Sequence, residues 1–383
     1  MTGRVQDEYG QGLSNRTVLI GSRSTTTDVN GQFTLTGIAT PYDLVVVEPA
    51  PRKAATIYLQ LTRTDPKLLN LATQGTPAQS ATLGGNISGG VPLSTAGTLT
   101  AVTWASPGVS STTYVNATPY SFIVPWAAPA TITGTVHGLQ FSFDQNFTVT
   151  GYPGYGVKTG VSLTSGGSVT DADIQLAPVT TGNISTNIST PAGHEIVERD
   201  VFLTFDDGAF FQVSQDALDA GTFQVPIPSN IGAKANVLVG AATSDGSSAS
   251  YAQVSALSPG TLGAALNLPS PARVTAPDTG ATGVDTNTDL VWTPVSGAIH
   301  ALFISATAPT SADPGYAIVT GGTHARIPDL SAQGLGLPSG RLYDVVLVAT
   351  GPYASVDAYT ETTVYPLSAL GFQTLSFTRF TTR

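Results

Sequence analysis

Along most of the chain, apolar and polar residues alternate over short runs that are bounded by Gly, Pro, Asp and Ser. Clear examples cover residues 98–104, 201–205 and 343–348. Because successive side chains of a strand point to opposite faces of a sheet, this period of two predicts half-buried β-strands. Helical periodicity is confined to residues 213–220 and 367–371, each long enough for a turn or two of helix. The pattern predicts an all-β fold.

Turn signals divide the strands into modules. The sequence Asp-Val-Asn-Gly at 28–31 predicts a hairpin turn, because Asn30 and Gly31 readily adopt positive φ. A linker is predicted at residues 72–79, and the Pro-Ser-Pro sequence at 269–271 marks a later boundary. We therefore expect four tandem β-sandwich modules, at 1–75, 76–178, 179–269 and 270–383.

The second and third modules are interpreted as divergent copies of each other. Both open with the sequence Gly-Asn-Ile-Ser, at 85–88 and 182–185, and similar turn and strand signals follow in the same order. Internal repetition of this kind predicts stacked or strung modules, each with its own core. In the last module, residues 290–292 predict a strand with a buried tryptophan, Trp292.

Charge is scarce and unevenly placed. Only 10% of the 383 residues are charged, and the net charge is −10, whereas about a quarter of residues are charged in an average protein. Seven Lys/Arg and six Asp/Glu lie in residues 1–75, so the negative charge belongs to the rest of the chain. An acidic chain without basic clusters excludes nucleic acid as a partner. Ser and Thr take the place of charged residues at the surface.

Cysteine is absent and Met1 is the single methionine. The chain therefore forms neither disulfides nor thiolate metal sites. A location outside the cytoplasm of a bacterium is favoured, and chance in a biased composition is the alternative. No apolar run reaches the ~18–20 residues that cross a membrane, and no signal peptide is recognised at the start. Strand-like sequence begins at once, and we hypothesise that Met1 stands in place of an upstream export signal.

The first module resembles the carboxypeptidase regulatory-like domain, a small transthyretin-like β-sandwich. The resemblance implies a non-catalytic structural or surface module on an exported bacterial protein. It rests on a strand at 42–46 and on the following residues: Gly3, Val5, Asp7, Gly10, Gly12, Leu13, Thr27, Asp28, Asn30, Gly31 and Phe33.

The other modules carry weaker resemblances. The second and third modules resemble eroded relatives of the first. The last module is similar to fibronectin type III or immunoglobulin-like domains through residues 290–292, 295–297 and 343–348. As a whole, the chain resembles part of a bacterial surface or secreted protein. Adhesin-type sandwiches of that kind often carry an internal Lys–Asn isopeptide bond, which needs a lysine in an early strand. No module has one in its first strand, so we predict no such bond; the lysines are Lys53, Lys67, Lys158 and Lys234.

The residues with catalytic or metal-binding potential do not form a known motif. The four histidines, His137, His194, His300 and His324, lack the close spacing of a metal site. No Gly-x-Ser-x-Gly sequence anchors a catalytic triad. We interpret the histidines as isolated structural or surface residues and predict no catalytic, cofactor-binding or metal site.

Two acidic segments contain side chains that could bind a metal ion. Residues 194–200 superficially resemble a zinc-protease helix but lack its second histidine, and their apolar positions favour the start of a strand. Oxygen ligands from Glu195, Glu198, Asp206 and Asp207 suit calcium, although residues 206–208 are more typical of a hairpin turn. Residues 28–31 likewise start like a calcium loop, and a turn is again favoured because the later ligands are missing.

Residues 152–156, Tyr-Pro-Gly-Tyr-Gly, are the candidate for an exposed aromatic platform that stacks on a sugar. The favoured alternative is that these rings close one end of a sandwich. Six Asn-x-Ser/Thr sequons allow glycosylation, although a composition rich in Ser and Thr inflates their number; they start at Asn15, Asn86, Asn116, Asn146, Asn183 and Asn187.

These observations predict a non-catalytic, extracellular or cell-surface structural or adhesive protein. Its expected partners are cell-wall polymers or further copies of the chain, paired through edge strands. The alternative is a carbohydrate-binding accessory protein that uses a glycan as its ligand. A hydrolase hidden between modules would need several polar groups converging in one pocket.

Overall fold

The strands follow from the alternating pattern of the sequence. The computed structural model describes residues 1–71, 77–216, 221–360 and 371–383, and nearly all regular structure in these residues is β. Tyr42–Val47 and Thr222–Pro228, for example, alternate between buried and more exposed side chains along most of their length. The prediction of an all-β fold is confirmed.

The chain divides into two compact units. Unit 1 comprises Met1–Thr76, Ala242–Ser250 and Pro269–Arg383, and unit 2 comprises Pro77–Ala241 and Tyr251–Leu268. Unit 1 therefore contains both ends of the chain. The strands of its first part are β1 Thr2–Gln6, β2 Thr17–Ile20, β3 Arg23–Thr26, β4 Gln32–Thr34, β5 Tyr42–Val47, β6 Ala54–Leu61 and β7 Lys67–Leu69.

Sixteen further strands lie wholly or mainly in unit 2. They are β8 Gln79–Gly85, β9 Ile87–Gly89, β10 Thr98–Ser106, β11 Val109–Val115, β12 Tyr120–Trp126, β13 Thr131–Phe143, β14 Val149–Thr164, β15 Ser168–Val169, β16 Ile174–Leu176, β17 Thr181–Ser189, β18 Glu195–Thr204, β19 Phe210–Asp216, β20 Thr222–Pro228, β21 Lys234–Ala242, β22 Ser248–Leu257 and β23 Ala264–Asn267.

The last part of unit 1 completes the fold with eight strands, a 3-10 turn at Ser331–Gln333 and one short helix. These are β24 Val274–Ala276, β25 Ala281–Val284, β26 Leu290–Trp292, β27 Ile299–Ala306, β28 Gly315–Thr320, β29 His324–Ala325, β30 Leu342–Gly351, α1 Val356–Thr360 and β31 Phe372–Thr382. Within the described residues, no helix is long and apolar enough to cross a membrane.

A run of eight strands, in the order β31-β30-β27-β28-β6-β5-β2-β3, joins the two ends of the chain in unit 1. The junction is the parallel pair of β6 and β28, in register from Ala54 with Gly315 to Tyr58 with Val319. Two three-stranded sheets, β4-β1-β7 and β24-β26-β29, complete the unit with β25, which pairs with β31.

Each apolar core of unit 1 draws residues from both ends of the chain. Ala55 and Ile57 on β6 belong to the core that surrounds Trp292. Their neighbour Tyr58, whose side chain points to the opposite face, packs in the core of the N-terminal segment together with Ile299 on β27. The period of two along β6 thus divides its side chains between two cores.

The described strands of unit 2 form four sheets and one further run of paired strands. The sheets have the orders β11-β10-β13-β14, β12-β8-β15, β16-β9 and β20-β17-β23, and the run has the order β19-β18-β21-β22. One core includes the buried side chains of Leu83, Trp104, Trp126 and Val136 from the first two of these sheets. The hairpin of β13 and β14 is the longest in the unit, with strands of 13 and 16 residues.

Most local predictions are confirmed. Residues 98–104, 201–204 and 343–348 lie in strands, and Trp292 is a buried residue of β26. Asn30 and Gly31 lie in a turn, where Gly31 has a φ of 74°.

Four predictions have a different outcome. The helix predicted from residue 213 is wrong as far as residue 216, because this segment belongs to β19. Residues 217–220, most of the predicted helix at 367–371 and most of the predicted linker at 72–79 lie outside the described residues. The three boundaries between the four predicted modules, at 75, 178 and 269, stay predictions.

Candidate functional site

The densest arrangement of potentially reactive groups in unit 2 is centred on His137. Its ring Nδ1 lies 2.8 Å from the hydroxyl oxygen of Tyr155, and its Nε2 lies 2.8 Å from Oδ2 of Asp207. A carboxylate only accepts hydrogen bonds, so Nε2–H of His137 donates to Asp207, and Nδ1 of the neutral ring accepts from the Tyr155 hydroxyl. Phe205 completes the cluster, with its ring centroid 4.7 Å from that of His137.

Three different elements position this His137 cluster. His137 lies on β13 and Tyr155 on the adjacent β14. Asp207 lies in the turn between β18 and β19, where its Oδ1 accepts a hydrogen bond from the backbone N–H of Ala209 at 3.1 Å. The ring of Phe205 stacks on that of Tyr155, with the two planes 7° apart and the centroids 5.7 Å apart. The cluster therefore joins the β13–β14 hairpin to the β18–β19 hairpin.

The environment makes Tyr155 a poor nucleophile. Burial, followed by the nearby charge of Asp207, raises the pKa of the Tyr155 hydroxyl. For Asp207, burial would raise the pKa, but hydrogen bonds from His137 and the Ala209 amide outweigh it and the pKa is lowered. Asp207 is thus kept ionised as an acceptor for His137. Asp207, His137 and Tyr155 have the order acid, base and hydroxyl that also occurs in catalytic triads. The raised pKa of the Tyr155 hydroxyl and the lowered pKa of Asp207 nevertheless favour a fixed chain of hydrogen bonds over activation of the hydroxyl as a nucleophile.

A second buried polar group lies on the neighbouring strands. Arg199 on β18 stands directly opposite Asp216 on β19, and its Nε donates to Oδ1 of Asp216 at 2.7 Å. Both side chains are almost completely buried. The guanidinium of Arg199 also lies 4.3 Å from the centroid of the Phe223 ring on β20. This charge pair ties three strands of unit 2 together.

Asp200 follows Arg199 along β18 and is buried, and no ion pair joins it to a cation among the residues that the structure describes. Gln212 donates a hydrogen bond to its Oδ1 at 3.0 Å. Burial, and then the charge of Glu198, raise the pKa of Asp200 to about 7. This carboxyl group therefore takes up a proton at much higher pH than an ordinary aspartate.

The other three histidines lie apart from the His137 cluster. His300 is buried on β27 with its ring 5.7 Å from that of Trp292, and burial lowers its pKa. His194 is buried at the start of the β18 hairpin, where its Nδ1 lies 3.2 Å from the carbonyl oxygen of Ala192. His324 is exposed on β29. His137 is a buried structural histidine with two side-chain hydrogen-bond partners, Tyr155 and Asp207.

The acidic segments adopt the structures that were favoured for them. Residues 195–204 form strand β18, and Asp206–Gly208 form the turn to β19, closed by a 2.9 Å bond from the N–H of Phe205 to the carbonyl of Ala209. In the turn at 28–31, Oδ1 of Asp28 accepts the backbone N–H of Asn30 at 2.8 Å. No group of three or more potential metal ligands occurs within the described ranges.

The candidate aromatic platform at residues 152–156 is not an exposed loop. Residues 152–156 belong to β14, and the Tyr152 side chain is 5% exposed. Its hydroxyl donates to the carbonyl of Pro226 at 3.2 Å. The Pro153–Gly154 sequence, typical of loops, is accommodated because β14 is an edge strand, where a missing N–H donor is tolerated.

Lysines and sequons are all at the surface. The four lysines are exposed, and the absence of an internal isopeptide bond stays a prediction. The six sequon asparagines are exposed as well. Glycosylation of these asparagines stays a prediction.

Sequence reasoning missed the His137 cluster because its members are far apart along the chain. Asp207 follows His137 by 70 residues, and no local motif connects them. It also missed Phe147, the exposed ring at the turn between β13 and β14. The signal for that turn was present, since Asp144-Gln-Asn-Phe-Thr stands between two alternating runs.

Comparison with known proteins gives distant matches only. No family model and no curated protein matches the sequence. Among solved structures, a leucine-rich repeat protein from Bacteroides thetaiotaomicron aligns over 49% of this chain and 26% of its own, with 11% identity and a TM-score of 0.18. The Bacillus anthracis TIE protein aligns over 70% of this chain and 50% of its own, with 10% identity and a TM-score of 0.17.

A streptococcal ancillary pilin aligns over 70% of this chain and 89% of its own length, with 9% identity and a TM-score of 0.17. The present chain thus spans half or less of the first two proteins. At TM-scores this low, the alignments carry no argument about fold or function.

Proposed function

We propose that this chain is a non-catalytic structural or adhesive protein of a bacterial cell surface or the extracellular space. The observation that carries the proposal is the role of its buried polar groups. His137, Arg199 and Asp216 are buried, and each connects one strand or turn to another. Hydrogen-bonded polar groups of this kind rigidify a fold. A rigid β-framework suits a protein that carries load or presents a surface.

The surface supports the same proposal. Strands β3 and β11 are edge strands, and their sequences, Arg-Ser-Thr-Thr and Val-Ser-Ser-Thr-Thr-Tyr-Val, are rich in hydroxyl groups. Edge strands offer backbone donors and acceptors to a further strand, so pairing between copies of the chain provides a route to self-assembly. Neutral hydroxyl groups also suit contact with cell-wall polymers.

Four measurements on the wild-type protein test this function. Brief protease treatment of intact source cells is expected to remove the protein while cytoplasmic markers remain. Sedimentation velocity and electron microscopy are expected to detect assemblies at high concentration, or cell walls are expected to retain the protein in co-sedimentation. Resistance to the protease, together with a monomer that walls do not retain, would refute the proposal. A hydrolytic activity lost in His137→Gln would also refute it.

Carbohydrate binding is the second candidate function, and Phe147 is the observation that favours it. This ring is 61% exposed at the turn between β13 and β14. Residues 152–156, the candidate for this role in the sequence, are buried or half-buried on β14.

A further inference from the structure

The turn between β13 and β14 is closed by Asp144. Its Oδ1 accepts the backbone N–H groups of Asn146 at 2.8 Å and Thr148 at 3.0 Å. The N–H of Phe147 donates to the carbonyl of Asp144 at 3.1 Å. Phe147 itself has a φ of 59°, in the left-handed region.

Two other turns of the chain have the same hydrogen bonds, with Asp7 and Asp28 in the role of Asp144. Each aspartate accepts the N–H groups of the residues two and four positions later. In both, the position equivalent to Phe147 is a glycine, Gly10 or Gly31, with a φ of 74°. Glycine is expected there because in the left-handed conformation a Cβ atom comes too close to the following carbonyl oxygen. The third turn instead holds a large aromatic residue in the unfavourable position.

The ring of Phe147 is exposed and held in place. It stacks on Phe143 of β13, with centroids 5.4 Å apart and planes 14° apart, so its other face is open to solvent. The hydroxyl of Ser214 donates to the carbonyl of Phe147 at 3.3 Å, and that of Thr148 donates to Oδ2 of Asp216 at 3.3 Å. These contacts fix the turn on β19, so a ligand would find the ring already oriented.

We propose that Phe147 is a stacking platform for a sugar ring of a polysaccharide. The inference rests on the proposed function and names the class of polymer that the surface contacts. A pyranose ring presents a C–H face of about the size of one phenyl ring, and its hydroxyl groups can bond the exposed side-chain amides of Gln145 and Asn146. A protein partner would need about 800 Å² of complementary surface on this chain. The neighbours of the Phe147 ring along the turn are polar, which suits a sugar better than an apolar protein interface.

Backbone strain together with exposure is the reason to assign a binding role. The two equivalent turns form the same hydrogen bonds with glycine at this position, so the turn itself does not require the aromatic ring. Phe147→Gly therefore separates the two roles, because it removes the ring and relieves the strain. We expect this variant to keep or raise the melting temperature.

The binding test is co-sedimentation of the full chain with cellulose, chitin and purified peptidoglycan. We expect at least one polymer to retain the wild type, and Phe147→Gly to bind it at least tenfold more weakly. Phe377→Ala is the matched control, since Phe377 is 51% exposed on β31, and it should bind like the wild type.

Three results would overturn the inference: no retention of the wild type by any of the three polymers, equal retention of Phe147→Gly, or a lower melting temperature for that variant. A wild type that is surface-exposed on cells and self-assembles, but whose retention does not depend on Phe147, would leave the proposed function standing and refute the inference alone.

Discussion

At the scale of single residues, burial and partners decide what each polar group does. His137 is 4% exposed, and both of its ring nitrogens are occupied. His324 belongs to the same residue type but lies exposed on β29. The His137 side chain therefore belongs to the framework of unit 2, whereas truncation of the His324 side chain should change the stability of the fold very little.

His137→Ala is expected to lower the free energy of unfolding by about 2–4 kcal/mol, because it leaves a cavity beside Phe205 and removes two hydrogen bonds. Urea unfolding followed by circular dichroism measures the change. His324→Ala is the control and should change stability by less than about 0.5 kcal/mol. Equal effects of the two substitutions would contradict the bracing role of His137.

Asp200 predicts a dependence of stability on pH. Its pKa is raised to about 7 in the folded protein, from the usual aspartate value of 3.8 in the unfolded chain. Between these values the folded state binds the extra proton, so this group stabilises the fold fully below about pH 4, and its contribution is lost as the pH rises towards 7.

The measurement is urea unfolding of the wild type and Asp200→Asn across this range. Asn cannot titrate, so the difference in unfolding free energy between the two proteins should shift in favour of the variant as the pH rises. A difference that stays constant with pH would show that Asp200 does not carry the effect.

At the scale of elements, a turn requires glycine where φ is positive or where a Cβ atom would clash with neighbouring backbone atoms. Gly31 and Gly10 both have a φ of 74°. A Cβ at Gly31 would lie 2.3 Å from the carbonyl oxygen of Val5 and 2.7 Å from the amide nitrogen of Leu13, whereas a Cβ at Gly10 would meet nothing within 4 Å. The two positions therefore separate the cost of backbone strain from the cost of a steric clash.

Gly10→Ala is expected to cost about 1–2 kcal/mol from the left-handed conformation alone. Gly31→Ala adds the clash with backbone atoms, which cannot easily move, and is expected to cost about 3–5 kcal/mol. Thermal unfolding of both variants gives the comparison. Equal melting temperatures would mean that the turn at Gly31 relaxes to accept a side chain.

At the scale of the whole molecule, the two ends of the chain complete one unit. Strand β6 pairs with β28, and Ala55 and Ile57 are buried in a core made mostly of C-terminal residues. The N-terminal segment thus has apolar surface that its own residues do not cover. The module boundary predicted near residue 75 assumes a core of its own for this segment.

A fragment of residues 1–71 tests the dependence. We expect it to lack a cooperative unfolding transition, because β6 keeps its partner β5 but loses β28, and Ile57 becomes exposed. Adding a separate fragment of residues 269–383 should restore dispersed amide resonances. A fragment 1–71 that unfolds cooperatively by itself would contradict this expectation and support the predicted boundary.

The sequence by itself determined the local features of this protein. Alternation predicted the strands around Trp104 and Val346, and the chemistry of Asn30–Gly31 predicted their turn, because period and turn geometry depend on residues close together in the chain. The sequence did not indicate that residues 152–156 lie in a strand, because Pro and Gly usually mark a loop. They are tolerated in β14 because it is an edge strand, and whether a strand lies at an edge is a property of the whole sheet.

Only the tertiary structure decided which distant groups meet. His137 and Asp207 come together because the β13–β14 and β18–β19 hairpins pack in the same unit. Strands β6 and β28 pair across more than two hundred residues. Nearly every residue has the same backbone N–H donor and C=O acceptor, so backbone hydrogen bonds alone do not select the partner of a strand. The partner depends on which buried side-chain faces fit together in the folded chain.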